Sequence, residues 1–225
     1  IMSEIEAGAD SIRKFLHELD IRIRARYPLI AINTFEEDRV REALIDLVFQ
    51  DRHKEKPLYF WSRPSGLQKV SDSKEGILSS PQTIGDTEDP ESLLGFISEQ
   101  KTGIFLLCDY APYISPYGQE DALLVRRLRE IAWKLKSTKA TILFVGPNFP
   151  ELKTLEKEVT QIDLDLPKES EIEDSIELQF QNLRSNGLDI SLTKETQDAL
   201  QQSLLGLTAV EISNVVAKAV ISCNG

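Results

Sequence analysis

Histidine and cysteine are scarce in this 225-residue chain, which contains two of each. Zinc sites need clustered His and Cys ligands, and Cys108 and Cys223 stand far apart, with no C-x-x-C pair. Two distant cysteines also provide no disulfide framework of the kind that small secreted domains use. Cys108 lies in an apolar run, where a free cysteine behaves as a small buried hydrophobic residue. This composition predicts neither a zinc site nor a structural disulfide, and it favours a reducing cytosol.

Excess positive charge and long apolar runs are also lacking. The formal net charge is −11, from 37 Asp and Glu against 26 Lys and Arg. A chain this acidic repels nucleic acid and anionic membranes unless its basic residues cluster, and the densest basic stretches, 22–26 and 126–129, are short and carry no stacking aromatics. No apolar stretch is long enough to span a membrane, and no signal peptide is recognisable. We expect a cytoplasmic protein that binds neither nucleic acid nor membrane.

Apolar segments that are present predict five β-strands. They cover residues 27–33, 57–61, 103–109, 140–146 and 159–164. The third and fourth are apolar almost without a break, which is typical of strands buried on both faces of a parallel sheet. The last alternates more, as an edge strand does. Amphipathic helical patterns lie between the strands, so we predict an α/β fold with a five-stranded parallel sheet and flanking helices.

Beyond residue 166 the pattern becomes helical. We predict helices over residues 170–184, 193–204 and 208–222. Ser170 with Glu173, and Thr208 with Glu211, have capping-box spacing, and Gly187 and Gly206 stand where helices should end. The predicted organisation is an N-terminal helix over 1–20, an α/β domain over 21–166 and a small helical subdomain over 167–225.

A long surface loop is predicted over residues 71–91, which are rich in Ser, Asp, Gly and Pro. At its end, Asp89 and Pro90 form a helix cap and a first helical turn.

The turn after the first strand carries unexpected residues. A parallel sheet followed by a small helical subdomain resembles the outline of an AAA ATPase, in which this turn is a P-loop, Gly-x-x-x-x-Gly-Lys-Ser/Thr, whose amides and lysine hold phosphates. Here the strand runs into Asn33-Thr34-Phe35-Glu36-Glu37-Asp38, and no glycine of the chain is followed by lysine. Thr34 and Glu37 have capping-box spacing, and acids at a helix start favour the helix but repel a triphosphate. We therefore predict a capped helix without bound nucleotide.

The third strand ends in a sequence that resembles a Walker B strand. Asp109 stands in the place of the carboxylate that organises magnesium. Tyr110 stands where a glutamate would polarise water, and a phenol with a pKa near ~10 does not do so at neutral pH. Asn148 follows the fourth strand, where AAA proteins have a polar sensor residue. We predict Asp109 and Asn148 as vestigial nucleotide contacts, and no catalytic residue or metal ligand. Alternatively, Asp109 ends a buried strand and bonds to a neighbouring loop.

Several segments together resemble the AAA protein family of plastid and cyanobacterial genomes that is named only as a hypothetical chloroplast reading frame. The resemblance rests on residues 25–30, 89–97, 103–110, 150–159, 166–169 and 206–212, in this order. It implies that this region is the degenerate N-terminal half, and that a second AAA module follows with its own ATP and magnesium. The resemblance also implies no cofactor in this half, a cytosolic or stromal location, and a connection with photosynthesis or inorganic-carbon use.

Arginine is missing where the resemblance would place it. Segment 149–157 has no arginine to act on a neighbouring subunit's nucleotide, and segment 208–219 of the helical lid has Lys218 as its one cation. The leading hypothesis is a non-catalytic regulatory or assembly domain that contacts the following AAA module and other copies of itself. One alternative is a residual nucleotide site at Asp109 and Asn148. Another is a phospho-accepting receiver that uses Asp109, an acid pair at Glu36 and Glu37, and Lys168.

Aromatic residues follow Asp109 in the turn at the carboxyl end of a central strand. Open α/β sheets place their binding crevice at this edge. We therefore predict Tyr110, Tyr113 and Tyr117 as candidate partner contacts. Trp133, on the helix after this turn, is predicted to be a core residue.

Overall fold

The computed structural model describes residues 11–49, 53–70, 82–185 and 193–223, which fold as two compact units. The first is residues 16–163, and the second combines residues 11–15 with the region from residue 164. This division falls three residues before the predicted boundary. Helix α1, Ser11–Arg24, accounts for the described part of the predicted N-terminal helix and continues four residues further.

The first unit is built on a seven-stranded sheet. Its strands are β1 Leu29–Asn33, β2 Leu58–Ser62, β3 Gly66–Lys69, β4 Gln82–Ile84, β5 Thr102–Cys108, β6 Lys139–Gly146 and β7 Val159–Asp163. Their order is β4-β3-β2-β5-β6-β1-β7, and the five strands from β2 to β7 are parallel. These are the five predicted strands, each within two residues of its predicted ends. The predicted α/β fold with a mainly parallel sheet is confirmed, but the count of five strands is not exact, because β3 and β4 extend the sheet with antiparallel pairs.

The antiparallel extension is fixed by the segment that precedes the next helix. The indole Nε1 of Trp61 on β2 donates a hydrogen bond to the carbonyl of Thr87 at 2.6 Å. The Thr87 hydroxyl in turn accepts from the amide of Leu67 on β3 at 2.8 Å. The loop predicted over 71–91 is therefore wrong for its later part, since residues 82–84 pair with β3, and residues 71–81 lie outside the described chain.

Helices cover the faces of this sheet. They are α2 Glu37–Phe49, α3 Pro90–Ser98, α4 Ala111–Ile114 and α5 Ala122–Leu135, with 3₁₀ turns at Pro116–Gly118 and Lys153–Leu155. Asp89 caps α3 as predicted, because its carboxylate accepts from the amides of Glu91 and Ser92, each at 3.0 Å. The predicted apolar stripe of α5 is buried, with Leu128 and Leu135 completely enclosed. Trp133 lies off that stripe and is 48% exposed, so the prediction that it belongs to the core is wrong.

The second unit is helical, as predicted. Helices α6 Glu169–Ser185, α7 Lys194–Leu204 and α8 Ala209–Cys223 enclose a small core of Ile172, Ile176, Phe180, Leu204, Ile212 and Val216. The capping box of α8 is confirmed: the Thr208 amide donates to Glu211 at 2.8 Å, and the Glu211 amide donates to the Thr208 hydroxyl at 3.3 Å. Gly206 has φ +88°, as a helix-terminating glycine should.

The predicted capping box of α6 is wrong. The helix begins one residue earlier than predicted, and it is Glu171 whose carboxylate accepts from the Lys168 amide at 3.0 Å. Gly187 lies outside the described residues. Within the described ranges, no helix combines the length and the apolar character that crossing a bilayer requires.

Candidate functional site

The turn after β1 uses its own polar groups to tie three strands together. The side-chain carbonyl of Asn33 accepts from the Phe149 amide at 3.1 Å, and its amide nitrogen donates to Gln161 at 3.3 Å and to Asp163 at 3.4 Å. The Thr34 amide donates to the carbonyl of Gly146 at 3.0 Å. A P-loop instead leaves its amides open toward phosphate. In this turn the Thr34 amide is bonded to the end of β6, and the Glu36 amide is bonded to the Thr34 hydroxyl.

Acidic side chains occupy the start of α2. The Thr34 hydroxyl accepts from the Glu36 amide at 3.0 Å, two residues on, and not from Glu37. The Glu37 carboxylate pairs with Arg41 at 3.4 Å. The predicted capping box between Thr34 and Glu37 is therefore wrong. Glu36 is buried and pairs with Arg39 at 2.8 Å, so the start of α2 carries a carboxylate and its arginine partner in place of the Gly-Lys-Ser/Thr of a P-loop sequence.

Cys108 is the last residue of β5, near the Glu37 carboxylate at the start of α2. Burial raises the pKa of its thiol, and the nearby Glu37 carboxylate raises that pKa further. A thiolate is the reactive form of cysteine. Cys108 is therefore a neutral, buried thiol.

Asp109 lies at the end of β5, as predicted for a residue in the Walker B position. Its backbone is left-handed, with φ +50°, and its amide donates to the carbonyl of Val145 at 3.0 Å. Its side chain is exposed, and Oδ1 lies 3.5 Å from where a Cβ on Gly146 would stand. Asn148 is exposed two residues beyond Gly146, and no hydrogen bond joins it to Asp109 within the described residues. The structure thus brings Asp109 to the end of β6, and Asn148 as a nucleotide contact stays a prediction.

Tyr110 belongs to the core. Its side chain is completely buried, its hydroxyl donates to the carbonyl of Pro90 at 3.0 Å, and its ring packs edge-on against Trp61 with centroids 5.4 Å apart. Burial raises the pKa of the Tyr110 hydroxyl, with smaller contributions from nearby carboxylates, first that of Asp89. A partner has no access to this side chain, so Tyr110 is removed from the predicted contact surface.

Tyr113 and Tyr117 differ from Tyr110 in their exposure. Tyr113 is half-buried, with its ring 6.1 Å from that of Trp61, and it lines a cleft of about 260 Å³ together with Leu123. Tyr117 is fully exposed and has a left-handed φ of +54°, and Leu123 is exposed as well. These three residues form what we call the tyrosine surface.

The sequence of the sheet unit decides the family. Residues 15–164 match the model of the SpoVK-like AAA ATPase N-terminal domain. This match covers about two thirds of the chain. The chain belongs to this family.

Longer relatives of this SpoVK-like domain occur in plastids. The chain is 26% identical over 209 residues to the uncharacterized AAA domain-containing protein ycf46 of Trieres chinensis, and 28% identical over 215 residues to that of Guillardia theta. Both matches cover more than nine tenths of this chain but 38% of the relative. The chain therefore spans about two fifths of the length of these relatives.

A solved AAA structure has the same fold. The FIGL-1 AAA domain, crystallised in complex with ADP, superposes with a TM-score of 0.57 over 94% of this chain and 68% of that chain, at 9% identity. This likeness supports an AAA-like fold. The match to an AAA family contradicts the hypothesis that the chain is a receiver domain. Lys168, which that hypothesis required, lies in the helical unit, and Glu36 is paired with Arg39.

Some residues that shape this SpoVK-like domain were not predicted. Asn33 and the Glu36–Arg39 pair organise the turn after β1, and Asp121 caps α5 by accepting from the Leu124 amide at 2.9 Å. Asp121 could have been found, because an acid directly before an apolar helical stripe is a cap signal. Asn33 gave no such signal, since its three partners come from distant parts of the chain.

Proposed function

We propose that this domain is a non-catalytic regulatory and assembly domain of a larger AAA ATPase. The turn after β1 carries the proposal: its polar groups bond to neighbouring strands, and carboxylates stand where phosphates would bind. Burial of Tyr110 adds support, because the position that follows Asp109 offers no base to activate water. The ATP and magnesium then belong to a second AAA module.

Titration with Mg-ATP and Mg-ADP tests the non-catalytic part. We expect the chain not to hydrolyse ATP. We also expect that any nucleotide binding will not depend on magnesium and will be the same in Asp109→Ala as in the unmodified chain. Lys153→Gln is the control, because this exposed lysine lies in the segment between β6 and β7 and stands outside the turn. Magnesium-dependent hydrolysis by the isolated chain, lost in Asp109→Ala, would contradict the proposal.

A residual nucleotide site remains the second candidate. It is favoured by Asp109, whose exposed carboxylate lies over Gly146 at the edge where open α/β sheets bind ligands. On this hypothesis, Asp109→Ala weakens Mg-ADP binding at least tenfold while Asn148→Ala has a smaller effect. Equal binding by Asp109→Ala and the unmodified chain would refute it.

The tyrosine surface is our proposed contact with the following AAA module or with other copies of the chain. Exposed aromatic residues beside a cleft are typical of interface anchors. In a chain that includes the second module, replacing Tyr113 and Tyr117 with alanine should change the ATPase rate or the oligomeric state. An unchanged rate and an unchanged sedimentation profile would argue against this contact.

The physiological part of the proposal is a connection with photosynthesis or inorganic-carbon use. It is supported by the plastid origin of the relatives. Deleting the gene in a photosynthetic host should slow growth more at limiting than at ample inorganic carbon. Equal growth of mutant and parent under both conditions would speak against the connection.

A further inference from the structure

Four cations gather at the amino-terminal edge of the sheet, opposite the edge that carries Asp109. They are Arg26 before β1, Lys56 before β2, Lys101 before β5 and Lys139 as the first residue of β6. These four strands are parallel neighbours in the order β2-β5-β6-β1, so all of them begin at this edge. The four side chains line one cavity of about 580 Å³, which we call the cationic cavity.

The backbone around the cationic cavity is held by the sheet. The Lys139 amide donates to the carbonyl of Lys101 at 2.9 Å, and the Ile104 amide donates to the carbonyl of Pro57, next to Lys56, at 2.9 Å. Thr102, which also lines the cavity, is the register partner of Lys139. The strand ends therefore fix the backbone positions from which these side chains extend. A site whose backbone is already ordered loses less conformational entropy when it binds a ligand.

Among the described residues, the cations of the cavity have no ion-pair partner, and Glu55 is the one carboxylate in the lining. Asp20, the nearby acid that favours the charged form of Lys56, is bonded to His53 at 2.7 Å and paired with Arg24 at 3.0 Å. Burial lowers the pKa of Lys56, and Lys139 and Arg26 lower it further.

Arg26 occupies a backbone position that favours glycine. It follows α1 with φ +61°, its amide donates to the carbonyl of Ile23 at 3.2 Å, and the Tyr27 amide donates to the carbonyl of Arg22 at 3.1 Å. These two bonds form a helix-terminating motif whose left-handed residue is usually glycine. An arginine here strains the backbone and adds charge to an already crowded cationic cluster, which indicates a use for its guanidinium.

We propose that the cationic cavity binds a compact, multiply charged phosphate compound, such as a diphosphate or triphosphate chain. Several cations around a small cavity, with the Thr102 hydroxyl, suit an anion that carries several charges. The volume falls in the range of small-molecule sites. Among the described residues, no aromatic side chain lines the cavity, so we expect the ligand to be recognised through its phosphates and not through a stacked base. An acidic chain with net charge −11 would otherwise repel such a ligand.

Calorimetric titration with sodium tripolyphosphate, and then with pyrophosphate and orthophosphate, tests this site. We expect tripolyphosphate to bind most tightly, with a Kd below a millimolar at 50 mM salt, and to weaken at 200 mM salt. The double variant Lys101→Gln/Lys139→Gln should weaken binding at least tenfold. Arg26→Gly should weaken it several-fold while leaving the fold intact by circular dichroism. Lys153→Gln, which removes one exposed lysine that does not line the cavity, should change it less than twofold.

Three results would overturn the proposal. The first is no heat of binding for any phosphate, and the second is an equal loss of affinity in Lys153→Gln and in the double variant, which would indicate non-specific charge attraction. The third is self-association of the unmodified chain that the double variant abolishes and tripolyphosphate does not affect, since the cavity would then seat an acidic face of a second copy. ATP serves as a further probe. If ATP binds at the cationic cavity, tripolyphosphate displaces it, and Asp109→Ala binds ATP as tightly as the unmodified chain does.

Discussion

The side-chain carbonyl of Asn33 accepts a hydrogen bond from the backbone amide of Phe149 at 3.1 Å, although 116 residues separate them. This bond fastens the end of β1 to the segment that follows β6. In a nucleotide-binding AAA module the end of the first strand leads into the phosphate loop. In this domain the Asn33 side chain instead bonds to the segment after β6 and to β7.

Replacing Asn33 with alanine should therefore destabilise the domain. The variant loses the bond to Phe149 and the two weaker bonds to Gln161 and Asp163, and we expect the free energy of unfolding to fall by about 1–2 kcal/mol. Urea denaturation followed by fluorescence measures this change. Asn148→Ala is the matched control, because Asn148 is exposed and its loss should stay within about 0.5 kcal/mol. Equal losses in the two variants would contradict the role of Asn33.

The stability of Tyr110→Phe tests whether Tyr110 is a core residue, in contrast to the exposed Tyr117. Loss of the hydroxyl that donates to Pro90 should cost about 1 kcal/mol of stability, whereas Tyr117→Ala should stay within about 0.5 kcal/mol. Burial raises the pKa of Tyr110, so its contribution is complete below the unfolded pKa near ~10 and is lost as the pH rises beyond it. Thermal melts from pH 8 to 11 should show a smaller alkaline loss of stability in Tyr110→Phe. Parallel curves for the two proteins would show that Tyr110 ionises normally.

Asp89 is expected to contribute its stability through a charged helix cap. Hydrogen bonds from the Ser92 amide first, and then from the Glu91 amide, lower the pKa of Asp89. A lowered pKa gives stability that is present above the unfolded pKa and is lost as the pH falls through the folded one. Asp89→Ala should cost about 1 kcal/mol at pH 7, because the first turn of α3 loses its cap. Asp89→Asn, which keeps an acceptor, should be nearly neutral at pH 7 and lose less stability on acidification; an unchanged acid profile would disprove the cap's charge dependence.

The strands that could be predicted from the sequence are those whose own residues form an apolar run, which indicates burial. β5 and β6 are apolar on both faces, so their position and parallel pairing follow from composition. β3 and β4 were missed because they are short and mostly polar, and their pairing depends on Trp61 and Leu67 meeting Thr87. Trp133 is a different error, since it stands outside the apolar stripe of α5, and the helical period alone could have placed it at the surface.

The candidate site was predicted less completely than the sheet. Asp109 could be placed because it ends a strand, and the missing P-loop is visible as a pattern. The burial of Glu36 beside Arg39 and of Tyr110 against Trp61 could not, since each depends on neighbours that the fold supplies. The alternation of buried and exposed side chains along a strand does not predict burial at Glu36 and Tyr110, because both residues lie in turns beyond the strand ends.

Arg26→Gly should make the domain more stable. Glycine adopts the left-handed conformation without the cost of about 1–2 kcal/mol that other residues incur, and the greater freedom of glycine in the unfolded chain offsets part of this gain. We expect a net increase of about 0.5 kcal/mol in the free energy of unfolding. Arg26→Ala is the control that removes the charge but keeps the strained backbone. If Arg26→Gly proves less stable than Arg26→Ala, the arginine side chain itself supports the fold.

Asp109 offers the same comparison at the other edge of the sheet. Its φ of +50° is tolerated by aspartate but penalises a β-branched residue. Asp109→Val should therefore destabilise the domain by about 1–2 kcal/mol, while Asp109→Gly should be neutral or slightly stabilising. A purely structural Asp109 predicts that Asp109→Gly melts at or above the temperature of the unmodified chain, with and without Mg-ADP. If Mg-ADP instead raises the melting temperature of the unmodified chain but not of Asp109→Gly, the carboxylate contacts nucleotide or its magnesium. That result would replace our regulatory proposal with the residual nucleotide site, because backbone relief by glycine cannot remove a ligand's stabilising effect.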